Sequence, residues 1–328
     1  DHAEPTADHG EAERVAPLEV AQDALPSGRG AMIAGADGNL YITDKANQRV
    51  VRVSPAPGGT ARRIAGLETA TARSSIVGSP ALATSIGLRF PAGLAFDVDG
   101  TLVLAEQGEL TRIRADGKLE HIAGTGVSAC PTFPPASETL VAGTCIAPNG
   151  GLAIAPDGTF YMAEVVASGP SYIRTLSPSG ILRLVLGANQ GNIVRGGSLG
   201  TGSKLNSDQT MLTWSETGLY YTEPSSNVGQ VRRLAPDGLV REIAGWYAGT
   251  TPWPTKWTAN PLLSPLNEPR SVAFGPEGGL YYMGRDYLGQ GVRIERLRDT
   301  TPDQVPLGSV VHVLDGAGRH VSTKSRER

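Results

Sequence analysis

PAGLAFDVDGTLVLAE, residues 91–106, contains the unit from which the fold is read. Gly93–Phe96 is a short apolar run, Asp99–Gly100 a turn pair, and Thr101–Glu106 resumes with Leu102 and Leu104 alternating against their neighbours. Asp-Gly between two such runs is the strongest short-range hairpin signal. Glu109–Arg114 (ELTRIR), a second turn at Asp116–Gly117 and Lys118–Gly124 (KLEHIAG) complete four short strands joined by tight turns.

The unit recurs. GADGNLYITD ends at Asp44, APDGTFYMAE at Glu164, SETGLYYTE at Glu223 and PEGGLYYMG at Gly284. Their turn glycines, Gly38, Gly100, Gly158, Gly218 and Gly278, are spaced by 62, 58, 60 and 60 residues. A four-stranded sheet repeated at fixed period cannot bury both faces alone, so successive copies must cover one another. The fold class is all-β, a β-propeller with four-stranded antiparallel blades. Five blades are visible within residues 29–309. Propellers close with roughly four to eight, so either these five close or a sixth lies upstream of Asp1, the reading favoured here. Residues 1–28 read as an acidic N-terminal connector or inter-blade loop. Residues 310–328 read as a C-terminal hairpin that starts a new structure, or as the last blade strand.

Composition narrows the function. Gly (42) and Pro (24) make about a fifth of 328 residues, against an average nearer ~12%, which argues against long helices. A hydrophobic share of 40% supports a sizeable core. Lys+Arg 29 against Asp+Glu 32 gives a net charge of −3, which offers no field for nucleic acid. No run of 18 apolar residues spans a bilayer. No basic-then-apolar leader opens the chain at Asp1, which reads as a mature product or an excised piece. Cys130 and Cys145 flank one Pro-rich loop, and a disulfide between them implies an oxidising compartment; two separate buried thiols are the alternative.

The acids ending the second strands (Asp44, Glu106, Glu164, Glu223) lie near the third-strand arginines Arg52, Arg112 and Arg233. Because they recur once per repeat, they read as structural ties between strands and not as catalytic groups. No G-x-S-x-G, P-loop or paired-Cys motif occurs, so no catalytic residue, metal ligand or cofactor is assigned. His2, His9, His121, His312 and His320 lack ligand spacing, though His312 and His320 are placed to face each other across a terminal hairpin. GWYAGTTPWPTKW (245–257) gathers Trp246, Tyr247, Trp253 and Trp257, an aromatic cluster suited to protein docking or sugar stacking. Trp214, on a first strand, reads as core.

The pattern in PAGLAFDVDGTLVLAE, NGGLAIAPDGTFYMAE (149–164) and PRSVAFGPEGGLYYMG (269–284) resembles the NHL repeat. GSPALATSIGLRFPAG (78–93) and VVHVLDGAGRHVST (310–323) are similar to segments of teneurins and bacterial Rhs (YD-repeat) proteins, where the propeller leads into a YD shell. The TMLTWSETGLYYTE copy lacks the Pro-Gly-Leu start, and no YD repeat is present. The resemblance implies a secreted or cell-surface, non-catalytic scaffold and docking module of a toxin-encapsulating or adhesion assembly, partnered by the YD shell or other domains of the parent protein. Its long inter-blade loops, led by 245–257, would dock on one face. The alternative is a free-standing, metal-dependent propeller hydrolase or lyase of the lactonase or strictosidine-synthase-like kind, with calcium or zinc in its channel.

Overall fold

The computed structural model describes residues 30–54, 60–69, 71, 76, 80–127, 130, 138–164, 171–187, 197, 199–202, 205, 210–224, 229–245, 266, 269–274, 279–285, 292–297, 305–307, 310–314 and 320–325. Blade 1 comprises β1 (Met32–Ala34), β2 (Leu40–Asp44), β3 (Arg49–Val53) and β4 (Ala61–Ala65). Blade 2 has β5 (Ala81–Leu82), β6 (Gly93–Phe96), β7 (Leu102–Glu106), β8 (Glu109–Ile113) and β9 (Lys118–Gly124), hydrogen-bonded in the order β5-β9-β8-β7-β6. Blade 3 repeats this with β10 (Glu138–Leu140), β11 (Leu152–Ile154), β12 (Phe160–Glu164), β13 (Tyr172–Leu176) and β14 (Ile181–Leu186). Blade 4 is β15 (Leu212–Ser215), β16 (Gly218–Glu223), β17 (Gln230–Leu234) and β18 (Val240–Ala244). A fifth sheet of three described strands follows: β19 (Ser271–Phe274), β20 (Leu280–Arg285) and β21 (Val292–Leu297). The first inward strands, β1, β6, β11, β15 and β19, neighbour one another in turn around a common axis. The chain is a β-propeller.

The turns form as their residues dictate. Asp97 N donates to Thr101 O at 2.8 Å and Gly100 N to Asp97 O at 2.9 Å, while Asp99 Oδ1 accepts from Thr101 N at 2.9 Å. Gly100 sits at φ +79°, where an added Cβ would meet nothing, so backbone strain alone selects glycine. The glycines opening the inner strands answer a different demand. A Cβ on Gly93 would come within 2.6 Å of Gly150 O, and one on Gly151 within 2.4 Å of Leu212 N. These glycines allow neighbouring inner strands to meet backbone to backbone, as in the 2.7 Å bond from Gly151 N to Thr210 O.

Blades 2 to 4 have a described blade on each side, so their second strands, such as LVLAE and FYMAE, are buried almost throughout. Along β7, Leu102 and Leu104 pack toward blade 1 with Val50 and Leu88, while Val103 and Ala105 pack toward blade 3 with Ile146 and Met162. The next core joins Ile173 and Leu186 to Leu219 and Tyr221, and the last joins Tyr220 and Val231 to Val272 and Tyr282. Rings bridge three of the junctions: Tyr41 with Phe96, Tyr161 with Trp214, and Tyr220 with Phe274.

The connectors explain the 60-residue period; the loop at 245–257, expected to lead docking, lies outside the described residues. The described parts of the first three connectors run down the outer edge of the blade each is about to begin. Strand β5 pairs with β9, β10 pairs with β14, and Leu199 bridges Leu239. Each then returns an apolar side chain, Leu88, Ile146 or Leu205, to the inter-blade core. The connector between blades 2 and 3 carries a disulfide between Cys130 and Cys145.

Beyond blade 5, β22 (Val305–Leu307), β23 (Val310–Leu314) and β24 (His320–Ser325) form their own antiparallel sheet. Val310–Leu314 pairs with β22 and β24 and not, among the described residues, with β21. His320 registers opposite Leu314 and His312 opposite Thr323, so the two histidines are not a cross-strand pair. No helix among the described residues is long and apolar enough to cross a membrane.

Two outcomes follow from this architecture. Replacing Cys130 and Cys145 by serine is expected to cost about 3 kcal/mol in urea unfolding, the chain-entropy value for a loop of this size; an unchanged midpoint would show the closure idle. Asp37, Asp99 and Asp116 are held below the ordinary carboxylate range, chiefly by turn hydrogen bonds from Asn39, Thr101 and Lys118. Their support is therefore complete above the unfolded-state value of 3.8 and is lost as pH falls through their lower folded values. Carbon-detected NMR titration of the three carboxyls should give midpoints below 3.8.

Candidate functional site

The repeated acids occupy one structural slot. In blades 2 to 4 the end of the second strand points toward the preceding blade, with Glu106 in line with Leu102 and Leu104. Glu164 Oε1 accepts from Ala147 N at 2.8 Å and from Arg174 Nη2 at 2.7 Å, and its other oxygen takes Arg174 Nε. Arg174 Nη2 also reaches Cys145 O at 3.3 Å. The pair thus grips the connector on both sides of Ile146, which seats it in the core. Glu106 does the same with Arg89 N at 2.6 Å and Thr111 Oγ1 at 2.5 Å. Asp44 holds Arg49 at 2.9 Å, and Glu223 lies 3.1 Å from Arg232.

The expected arginine partners are corrected. Arg52, Arg112 and Arg233 register opposite Tyr41, Val103 and Tyr220, on the other face of the sheet from the acids. Arg233 accordingly lies over the Tyr220 ring, 5.7 Å from its centroid. The acids use Arg49, Arg174 and Arg232 because only these share their face.

With its acids committed, the channel supplies a different site. Where the inner strands of blades 1 to 4 end, a cavity of about 380 Å³ opens, walled by Ile33, Phe96, Val98, Ile154 and Trp214. Its one acidic lining residue is Asp97. The Asp97 side chain is 11% exposed; Oδ1 accepts from Val98 N at 2.7 Å, and Arg112 Nη1 stands 3.9 Å from Oδ2. The indole Nε1 of Trp214 is buried and has no hydrogen-bond partner among the described residues. An unmet buried donor costs free energy and is an opening for a ligand acceptor.

Sequence reasoning read Trp214 as core and gave Asp97 no role. The available signal was departure from the repeat. Asp97 stands where the other blades have Gly35, Ala155 and Ser215, and Trp214 where they have Ala34, Phe96, Ile154 and Phe274. Trp246, Tyr247, Trp253 and Trp257, the expected binding surface, lie outside the described residues. The channel ion of the enzyme alternative also lacks a described ligand set. Among the described residues no three of His, Cys, Asp or Glu come together, and the repeated acids are tied to arginines and backbone amides. These residues do not fit a resident metal ion, and no chemistry is routed through one here.

No family model matches the chain, and no curated protein matches it. Among solved structures it is similar to a Bacteroides thetaiotaomicron protein of unknown function, with a TM-score of 0.55 and 17% identity, covering 81% of this chain and 58% of that one. It is also similar to a gluconolactonase from Xanthomonas campestris (TM-score 0.45, 15% identity, 90% and 75% covered). A third is a catalytically inactive virginiamycin B lyase from Staphylococcus aureus (0.41, 14%, 90% and 81%). At such identities the likeness shows the fold, a β-propeller.

The expectation of a non-catalytic scaffold module, and with it the expectation of no enzyme, is withdrawn: the propeller fold is one that a gluconolactonase and a virginiamycin B lyase also have. The physical reason is in the motifs that carried the expectation. Pro-x-Gly, Asp-Gly and Ile-Ala-Gly serve strand approach, turn and exit, which any four-stranded blade requires, so they say nothing about what the channel does.

One outcome tests the clamp. Glu164→Ala leaves Arg174 charged and buried, which should cost about 3–5 kcal/mol in urea unfolding. Adding Arg174→Met should reduce that loss; an equal or larger loss would mean that the arginine has another anchor.

Proposed function

We propose that this propeller is an enzyme of the hydrolase or lyase kind, acting on a small uncharged molecule at the channel cavity. The observation that carries this reading is that Asp97, the one acidic lining residue, and Trp214, with its unpartnered indole N–H, line the same cavity among mainly apolar side chains. Concave, mostly apolar sites with few polar groups are the usual form of small-molecule sites. Asp97 is the group placed to accept a proton, from water in a hydrolysis or from a C–H in an elimination. Trp214 Nε1 is a donor available to an oxygen on which negative charge develops. Asp97 is not replicated in the described blades, and Trp214 takes the place of Phe96 and Phe274 with a ring that carries a donor.

The neighbours' names supply the reaction classes to assay, opening of a cyclic ester by water or by elimination. A panel of uncharged γ- and δ-lactones, followed by acid release at constant pH, should contain at least one substrate. Asp97→Asn should lower kcat about 10²–10⁴-fold, the range for a lost general base, with an unaltered far-UV spectrum. Turnover of none of the panel, or a variant as active as the parent chain, would overturn the reading.

A further inference from the structure

A second cavity lies beside the first. Between blades 3 and 4 a crevice of about 330 Å³ is lined by Tyr161, Val185, Leu199, Trp214, Leu234 and Pro236 among others. Trp214 lines both cavities, so its indole is the wall they share. Glycines line it where neighbouring backbone comes too close for a side chain or a turn needs positive φ. A Cβ on Gly218 would meet Leu234 O at 2.3 Å, one on Gly200 would meet Val185 O at 2.4 Å, and Gly238 closes the turn at φ +78°.

The lining selects its occupant. It contains no Asp, Glu, Lys, Arg or His, so a charged group would be desolvated there without a counter-charge. Its one ionisable side chain, the Tyr161 phenol, is pushed up by burial and remains a neutral hydroxyl. Leu199, at 60% exposure, is among the large apolar side chains the described surface leaves uncovered, and it lines the crevice. Tyr161 and Trp214 differ from the other ring pairs. Tyr41–Phe96 and Tyr220–Phe274 meet edge to face at 87° and 88°, whereas Tyr161 and Trp214 are stacked at 24° with centroids 5.0 Å apart. A stack can be extended by a further planar ring, which an edge-on pair does not favour.

We infer that the crevice between blades 3 and 4 is a subsite for an uncharged aromatic ring bearing a carbonyl-type acceptor. The ring is received by the Tyr161–Trp214 stack, and its acceptor, the carbonyl of the reacting group itself, is met by Trp214 Nε1. This deepens the proposed function and rests on it: the substrate is an aryl-substituted or aryl-fused molecule that bridges the two cavities, its reacting group toward Asp97.

The probes are coumarin, which is planar and uncharged with a carbonyl acceptor, and naphthalene, which is planar without one. Binding is measured by equilibrium dialysis with the full chain. Coumarin should bind more tightly than naphthalene by about 2–12-fold, the worth of one neutral hydrogen bond. Trp214→Phe keeps a ring in place and should erase that preference. Leu199→Trp, at an exposed position that fills the crevice, should weaken both probes at least tenfold. Val98→Trp, similarly exposed at 65% but lining only the channel cavity, should leave naphthalene, which has no group to reach that cavity, unchanged.

Loss of binding in Val98→Trp with none in Leu199→Trp would overturn the inference, as would no saturable coumarin binding up to its solubility limit. Asp97→Asn separates this from the enzyme reading: it should lower kcat by the same roughly 10²–10⁴-fold and leave coumarin binding intact. If the parent chain turns over no lactone while Leu199→Trp still blocks coumarin, the enzyme reading fails and the aromatic subsite stands.

Discussion

A narrow sheet with apolar side chains on both faces cannot remain wet on either, and that constraint organises the whole molecule. Val103 and Leu104 are adjacent in β7, yet one packs toward blade 3 and the other toward blade 1. Burying both requires a blade on each side, hence the ring of sheets. It also requires that the chain leaving one blade be secured while it crosses to the next. Glu164 with Arg174, and Glu106 with Thr111, supply that security by taking up backbone amides of the incoming connector. These buried charges are thus the means by which a 60-residue repeat keeps its register, and chemistry must come from elsewhere.

Where it comes from follows from repetition itself. A feature that every blade needs is structural, and a feature that one blade has against its neighbours' pattern is free to be functional. Asp97 and Trp214 are of the second kind. Both lie at the ends of inner strands, and a site carried by paired strands is held more precisely than one on loops. The same inner strands that meet backbone to backbone at Gly93, Gly150 and Gly151 diverge toward their ends enough to leave a cavity.

Much of the fold was legible from residues 91–106 and their copies. Turn glycines, strand lengths and the sheet order within a blade follow from local chemistry, and local chemistry is what a sequence displays. The connectors were less legible because a strand such as β5, of two residues, carries no periodic signal. Arginine partners were misassigned because proximity along the chain does not say which face a side chain takes; a one-residue offset moves Arg233 to the opposite face from Arg232. The candidate site escaped notice because attention went to what the copies share. A reading by differences between aligned positions would have marked Asp97 and Trp214.

The central claim is that ligand is received at the inner-strand ends and not on the aromatic loop at 245–257. Its most direct test is fluorine NMR of the chain labelled with 5-fluorotryptophan, which gives one resonance for each of its four tryptophans. The Trp214 resonance is assigned by its loss in Trp214→Phe, and coumarin or an uncharged δ-lactone is then titrated. The account predicts that the Trp214 resonance shifts and saturates while those of Trp246, Trp253 and Trp257 stay in place. A response confined to the latter three would contradict it and return the binding surface to the loop.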